Sequence, residues 1–317
     1  MQQNTRPIPQ HLNDFLDWLD IEKGLSSKSQ ENYARFLKKF LDWLEINKLN
    51  NLLPHQLTSE HIWKYRAYLA RQYASKAQKP LKKTTQNYYL IALRSLLNFF
   101  ANRDIISLPA EKIQLSKEKD ARVVNFLDLD QIEKLLAAPD ISKVRGLRDR
   151  VILEILFSTG MRISELLGLN REQIKLKPNV KELEIVIIGK GSRPRPIYIS
   201  ERAIGWLRRY LQTRTDKEKP LFVNYHGIVA ANRLTARAVQ KNIKKYAISS
   251  GVPLTVTPHV MRHSFATDLL NQGVDLRILQ EMLGHKSISA TQIYAHVTNK
   301  KLREIHRQFH SGRKLKV

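Results

Sequence analysis

Apolar residues recur at helical spacing through the first third of the chain. In ENYARFLKKFLDWLE, Tyr33, Phe36, Leu37, Phe40, Leu41 and Leu44 fall on one stripe, with Arg35, Lys38 and Lys39 away from its centre. Leu12, Phe15, Leu16 and Leu19 mark a helix before it. SEHIWKYRAYLARQYA, opening after Thr58 or Ser59, marks a third. TTQNYYLIALRSLLNFFANR, with Tyr89, Leu93, Leu96, Leu97 and Phe100 stacked, marks a fourth. Aromatic residues on such stripes are expected in a core rather than as platforms for bases. Four antiparallel helices can close a compact bundle. The basic loop SKAQKPLKKTTQN between the last two reads equally as a solvated loop and as a phosphate contact.

The pattern then breaks. LPAEKIQLSKEKDARVV has a proline, weak periodicity and many charges, and it reads as a linker. The expected division is a helical domain over residues 1–108, a linker over 109–124 and a second domain over 125–317. That second domain is mixed. DLDQIEKLLAAP is a capped helix, and RGLRDRVILEILFSTG is an apolar helix stopped by Gly160. In ELEIVIIGKGSRPRPIYIS the period drops to two: Leu183, Ile185 and Ile187 alternate, a tight turn follows, and Ile197 and Ile199 alternate again. This predicts a β-hairpin. Helices resume from Glu201. The expected fold class is mainly α with a small β-sheet.

Charge adds a partner to this picture. Among 317 residues, 54 Lys and Arg face 29 Asp and Glu, a net charge of +25. Such a field attracts polyanions, and nucleic acid is the expected one. With no cysteine, disulfides, Cys-rich zinc sites and thiol nucleophiles are excluded. No apolar run approaches the ~20 residues of a membrane span. The opening MQQNTRPIPQ lacks the apolar core of a secretory signal, so the expected compartment is the cytoplasm, without membrane partners.

The candidate chemistry starts at TPHVMRHSFATDLLNQG. Thr257 can cap a helix there, Pro258 suits its first position, and Gly273 ends it. Met261, Phe265 and Leu269 set its buried stripe, while His259 and Arg262 share a neighbouring face near the N-terminus. That end favours an anion. A metal site, a phosphate site and a solvated helix end all fit this segment alone. The metal reading is the weakest: His259 and His263 have zinc-helix spacing, but no Glu sits between them and an arginine opposes the metal's charge. STGMRISELLGL places Arg162 just after the Gly160 stop. An arginine among apolar helices is costly unless it meets an anion, either Glu165 one turn on or a ligand. Lys190 falls at the hairpin tip, His285 after Gly284, and Tyr294 nine residues later. Singly, a solvated turn lysine and a core tyrosine with a wet tip are the ordinary readings of Lys190 and Tyr294.

Their order and company change this. TGMRISELLGL, IGKGSRPRPIYIS and PHVMRHSFATDLLNQGVDLRILQEMLGHKSISATQIYAHV resemble the tyrosine site-specific recombinases, above all their Xer-type and phage-integrase-like members. The likeness spans the whole second part. The first part resembles their N-terminal core-binding, SAM-like domain, and the resemblance implies an α+β catalytic domain and a C-shaped clamp around DNA. It implies Arg162 and Arg262 as the phosphate clamp, His285 as a further donor, and Lys190 as general acid. His259 becomes proton acceptor or orienter, and Tyr294 the nucleophile forming a 3′-phosphotyrosyl link. No such role falls to His263. No metal, ATP or other cofactor is implied. The implied partners are duplex DNA with inverted-repeat half-sites and three further copies of the chain, a homotetramer on two DNA sites. The segment of about 299–317 would dock in trans, with room for an accessory activator. RLTARAVQKNIKKYAISSG resembles the helix that enters the major groove, which makes Arg233, Arg237, Lys241 and Lys244 candidate DNA contacts. Dimer resolution of chromosomes or plasmids, and integration or excision of an element, are both compatible. A catalytically inactive DNA-binding regulator and a metal-dependent nuclease are the competing readings.

Overall fold

In the computed structural model, residues 3–72, 80–116, 125–178, 180–189, 194–225 and 231–284 are described. Lys190, His285, Tyr294, part of the basic loop, half of the expected linker and the segment 299–317 lie outside them. The chain divides into two compact units, Met1–Ala121 and Arg122–Val317.

The first unit is built from four main helices: α1 (Leu12–Ile21), α2 (Ser27–Ile46), α3 (Ser59–Ala67) and α4 (Lys83–Asn102). The stripes point inward. Phe15 and Leu19 of α1, Leu37, Phe40 and Leu44 of α2, and Leu93, Leu97 and Phe100 of α4 are all buried in one core. Aromatic rings lock the helices edge to face, as between Phe40 and Tyr65, 5.1 Å apart at 71°. Such pairs add specificity to area burial. Thr58 starts α3: its hydroxyl accepts from the His61 amide, and the His61 ring accepts from the Thr58 amide. Trp63 on α3 and Tyr88 on α4 are exposed instead, at 65% and 54%.

The second unit is arranged around α6 (Val144–Thr159), which follows α5 (Leu129–Ala137). Asp128 caps α5 by accepting from the Gln131 amide. Apolar α6 residues such as Val151, Ile155 and Leu156 are buried, and so are Arg148, Asp149, Arg150 and Glu154. Burying charges is tolerable only when they are paired. Arg148 meets Asp149 at 2.7 Å and Arg150 meets Glu154 at 2.8 Å. A short α7 (Ile163–Gly168) follows, then the hairpin of β1 (Leu183–Ile188) and β2 (Pro194–Ile199). The strands are antiparallel, with Leu183 opposite Ile199, Ile185 opposite Ile197 and Ile187 opposite Arg195. The expected alternation holds, with one addition: Arg195 shares the inward face with Ile197 and Ile199.

Helices α8 (Glu201–Gln212), α9 (Ala236–Ser250), α10 (Pro258–Asn271) and α11 (Leu276–Leu283) complete the described fold. Helix α10 packs against α6 and α11. The sequence predicts a single stripe on α10, but the helix is buried nearly all round, including Arg262, His263, Ser264 and Thr267. Ser264 donates to the Val260 carbonyl and accepts from the Leu127 amide, whereas the buried Thr267 hydroxyl has no hydrogen-bond partner among the described residues. Among the described residues, no helix is long and apolar enough to cross a membrane.

Candidate active site

The site begins where α6 stops. Gly160 adopts the left-handed conformation, φ 57°, which glycine enters without a Cβ penalty. The chain turns there and delivers Arg162 to the N-cap of α7. Glu165 is one turn on. Its carboxylate accepts from the Arg162 amide at 2.8 Å and from the Arg162 guanidinium at 2.9 Å. One carboxylate thus closes the helix start and fixes the arginine. The Arg162 side chain remains 32% exposed, against 6% for Glu165.

Arg262 is the fifth residue of α10 and reaches inward. Its guanidinium donates to the Gly160 carbonyl at 2.7 Å and to the Leu283 carbonyl at 2.6 Å. Leu283 is the last residue of α11, and Gly284, φ 63°, closes that helix. The Gly284 carbonyl accepts a longer bond from Arg162, 3.4 Å. Residues 162 and 262, far apart in sequence, therefore meet at one helix end. That end carries unmatched carbonyls and partial negative charge, which favours cations.

A third arginine, not picked out by the sequence reading, joins them. Arg195 donates from both Nη atoms to Glu165, at 3.1 and 2.9 Å, and from Nε to the Met282 carbonyl at 3.3 Å. Burial alone would raise the Glu165 carboxyl, but Arg195 and then Arg162 outweigh it and hold Glu165 below its ordinary value. A signal for Arg195 existed: in RPRPIYI it keeps the phase of the inward isoleucines.

His259 lies at the start of α10 with an exposed face. Partial desolvation, followed by the positive charges of Arg262 and Arg162, lowers its pKa, so the ring is neutral near pH 7. A neutral imidazole can accept a proton. His263 packs against it edge to face, with centroids 4.3 Å apart. Desolvation, then the neighbouring His259 and Arg262, bring the His263 pKa down to about 4. An acid sensitivity follows. Below the ordinary histidine pKa of 6.5 the unfolded chain takes up a proton that folded His263 refuses. Stability will therefore fall as the pH drops from 6.5 towards 4, and this contribution is fully lost below that window. Denaturant titrations at several pH values check this, with His263→Gln expected to flatten the slope; parallel curves for the two proteins would refute it.

Of the other named residues, Arg237, Lys241 and Lys244 lie exposed on α9, at the 4- and 3-residue spacing of one helix face. Arg233 precedes α9 and donates to the Leu167 and Leu169 carbonyls and to the Asn170 side chain, at 2.6, 3.1 and 2.7 Å. Those bonds tie its guanidinium to the end of α7. Lys190, His285 and Tyr294 lie outside the described residues; His285 is next in sequence after Gly284.

Residues 125–301 match the phage integrase family, and residues 12–104 match the phage integrase N-terminal SAM-like domain. The class is thus that of integrases built from a SAM-like domain followed by a catalytic domain. The chain belongs to the phage integrase family. It is 37% identical over 304 residues to the tyrosine recombinase XerD of Lacticaseibacillus casei, covering 94% of this chain and 97% of that one. Against the tyrosine recombinase XerD of Staphylococcus aureus strain N315 the identity is 33% over 308 residues, covering 94% and 98%. The fold resembles that of XerH site-specific recombinase bound to palindromic difH substrate in a post-cleavage complex, with 21% identity, a TM-score of 0.73 and 99% of each chain covered. It also resembles a lambda integrase dimer bound to a COC′ core site, with 16% identity, a TM-score of 0.67, and 92% of this chain and 77% of that one covered.

Proposed function

We propose that this chain is a site-specific DNA recombinase that cleaves and rejoins strands through Tyr294. The observation carrying the site assignment is the convergence of Arg162 and Arg262 on one helix end, beside a histidine held neutral. The Tyr294 oxygen attacks phosphorus and a phosphotyrosine ester forms. The bond to the 5′-oxygen breaks, and its electron pair leaves with that oxygen. His259 accepts the phenol proton, and Lys190 supplies a proton to the leaving oxygen. The two guanidiniums, helped by His285, hold the nonbridging oxygens in a bidentate grip that lysine cannot reproduce. The ester keeps the bond energy for rejoining, so the reaction runs without ATP. Arginines take the part that metal ions play in other phosphoryl transfers.

The exposed basic face of α9 suits the major groove of duplex DNA. For the tetramer, the docking segment is about 299–317, where Leu302, Ile305 and Phe309 have helical spacing. A groove of about 450 Å³ lined by Leu129, Ile132, Leu136, Phe157, Phe265 and Leu269 offers it an apolar seat on a neighbouring copy. Dimer resolution and element integration both use this chemistry, at the nucleoid in the cytoplasm.

The test uses a duplex selected by binding from a randomised library and nicked beside its scissile phosphate, so that the covalent adduct is trapped. Adduct will form in EDTA, and Tyr294→Phe will abolish it while leaving DNA binding intact. Adduct from the Phe variant would remove Tyr294 as nucleophile, and a strict magnesium requirement would favour the nuclease reading. Sizing the trapped complex with and without residues 299–317 reports on the tetramer: loss of four-subunit complexes on truncation is expected, and unchanged assembly would overturn trans docking.

A further inference from the structure

We propose that Arg195 is a positioning residue for the strand-cleavage step: it balances the charge of Glu165 so that Arg162 can offer its own charge to the phosphodiester. This rests on the site assignment above. The geometry separates the two arginines that share Glu165. The Arg195 side chain is 9% exposed and that of Arg162 is 32% exposed. Arg162 faces outward and can take a ligand. Arg195 is closed in, with both Nη atoms on Glu165 and its Nε on the Met282 carbonyl.

Arg162 and Glu165 alone would sum to zero charge. A phosphate approaching Arg162 would then feel a nearly buried carboxylate one turn behind it. At that depth the repulsion is poorly screened. Adding Arg195 returns the group to a net +1, and its two-pronged bond keeps Glu165 from following Arg162 as that side chain engages the phosphate. The same arginine also grips α11. A Cβ on Gly284 would lie 2.9 Å from Arg195 Cδ and 3.0 Å from its Nη1, so glycine at this position leaves room for the guanidinium. Arg195, Arg262 and Arg162 together hold the carbonyls of residues 282, 283 and 284, immediately ahead of His285. Arg195 thereby links the stance of Arg162 to the chain that leads into the next proposed donor.

Four proteins decide the matter on the nicked duplex at saturating protein, with DNA affinity measured separately: the parent, Arg195→Met, Arg195→Lys and the double variant Arg195→Met with Glu165→Gln. Arg195→Met should form adduct about 10–100-fold more slowly, the range found when a supporting residue behind a functional group is lost. Its Kd for DNA should stay within about threefold, since many phosphate contacts share binding. Arg195→Lys keeps the charge and should lose less than about tenfold. The double variant, in which neither charge is left alone, should react faster than Arg195→Met. That recovery is the readout that a purely structural arginine would not give. A folded Arg195→Met that loses less than about tenfold, or a double variant no faster than Arg195→Met, overturns the proposal. Should Arg195→Met fail to fold, Arg195→Lys decides, and a loss greater than about tenfold overturns it. A parent protein that forms no adduct at all would instead refute the site assignment itself.

Discussion

Replacing Arg262 with lysine will reduce covalent-adduct formation by roughly 10²–10³-fold, the cost of removing one well-placed donor to a developing anion. The position explains why so similar a residue fails. Arg262 is 2% exposed and divides its guanidinium between the Gly160 and Leu283 carbonyls. A lysine ammonium has no planar fork and cannot span two carbonyls and a phosphate in fixed directions. One of the carbonyls, buried and stripped of its partner, costs about 1–3 kcal/mol. The stability loss and the catalytic loss therefore have separate origins, and they can be measured apart. Denaturant unfolding reads the first. The adduct rate at saturating protein reads the second, well below the melting range. DNA affinity should change only a few-fold. A lysine variant that reacts within about tenfold of the parent would show that Arg262 is a structural strut and leave Arg162 alone on the phosphate.

How far these features could be read from the sequence depended on the kind of partner each residue has. The stripes of α2 and α4 were legible because each helix buries one face in its own unit, so periodicity alone reports it. The hairpin was legible from its alternation, and Gly160 from its place at the end of an apolar run. Arg162 with Glu165 was legible as a local pair, three residues apart. Arg262 was visible only as a candidate, since its partners are the backbone carbonyls of residues 160 and 283, and a carbonyl has no residue identity to recognise. Helix α10 misled in a simple way. It is enclosed by neighbours, and its buried polar residues hide the apolar enclosure from any one-stripe reading. Arg195 is hard to recognise because arginine beside prolines is compatible with a solvated turn; only the phase of β2 betrays its inward direction. The six catalytic candidates came from a joint motif, and three of them, Arg162, His259 and Arg262, fall among the described residues.

Gly160→Ala tests how tightly the site depends on the end of α6, and it is expected to be strongly damaging. Two penalties act together. An alanine at φ 57° enters a conformation that costs an L-residue about 1–2 kcal/mol. Its Cβ would also sit 2.3 Å from Phe265 Cδ1 and 2.8 Å from Cε1, far inside contact distance. Phe265 packs in one cluster with Leu270, Leu279 and Leu283, so a displaced ring must give up some of those contacts. Overpacking of this sort costs about 1–3 kcal/mol. The combined loss of roughly 2–5 kcal/mol corresponds to a melting shift of about 2–4 °C per kcal/mol for a unit of this size. Activity should fall further than stability predicts, because the Gly160 carbonyl is an anchor for Arg262 and the turn it makes delivers Arg162. Gly205→Ala is the matched control: it lies within α8, has nothing within 4 Å of an added Cβ, and should be neutral or slightly stabilising. Equal melting temperatures for the two alanine variants would mean that α6 can end without a left-handed residue.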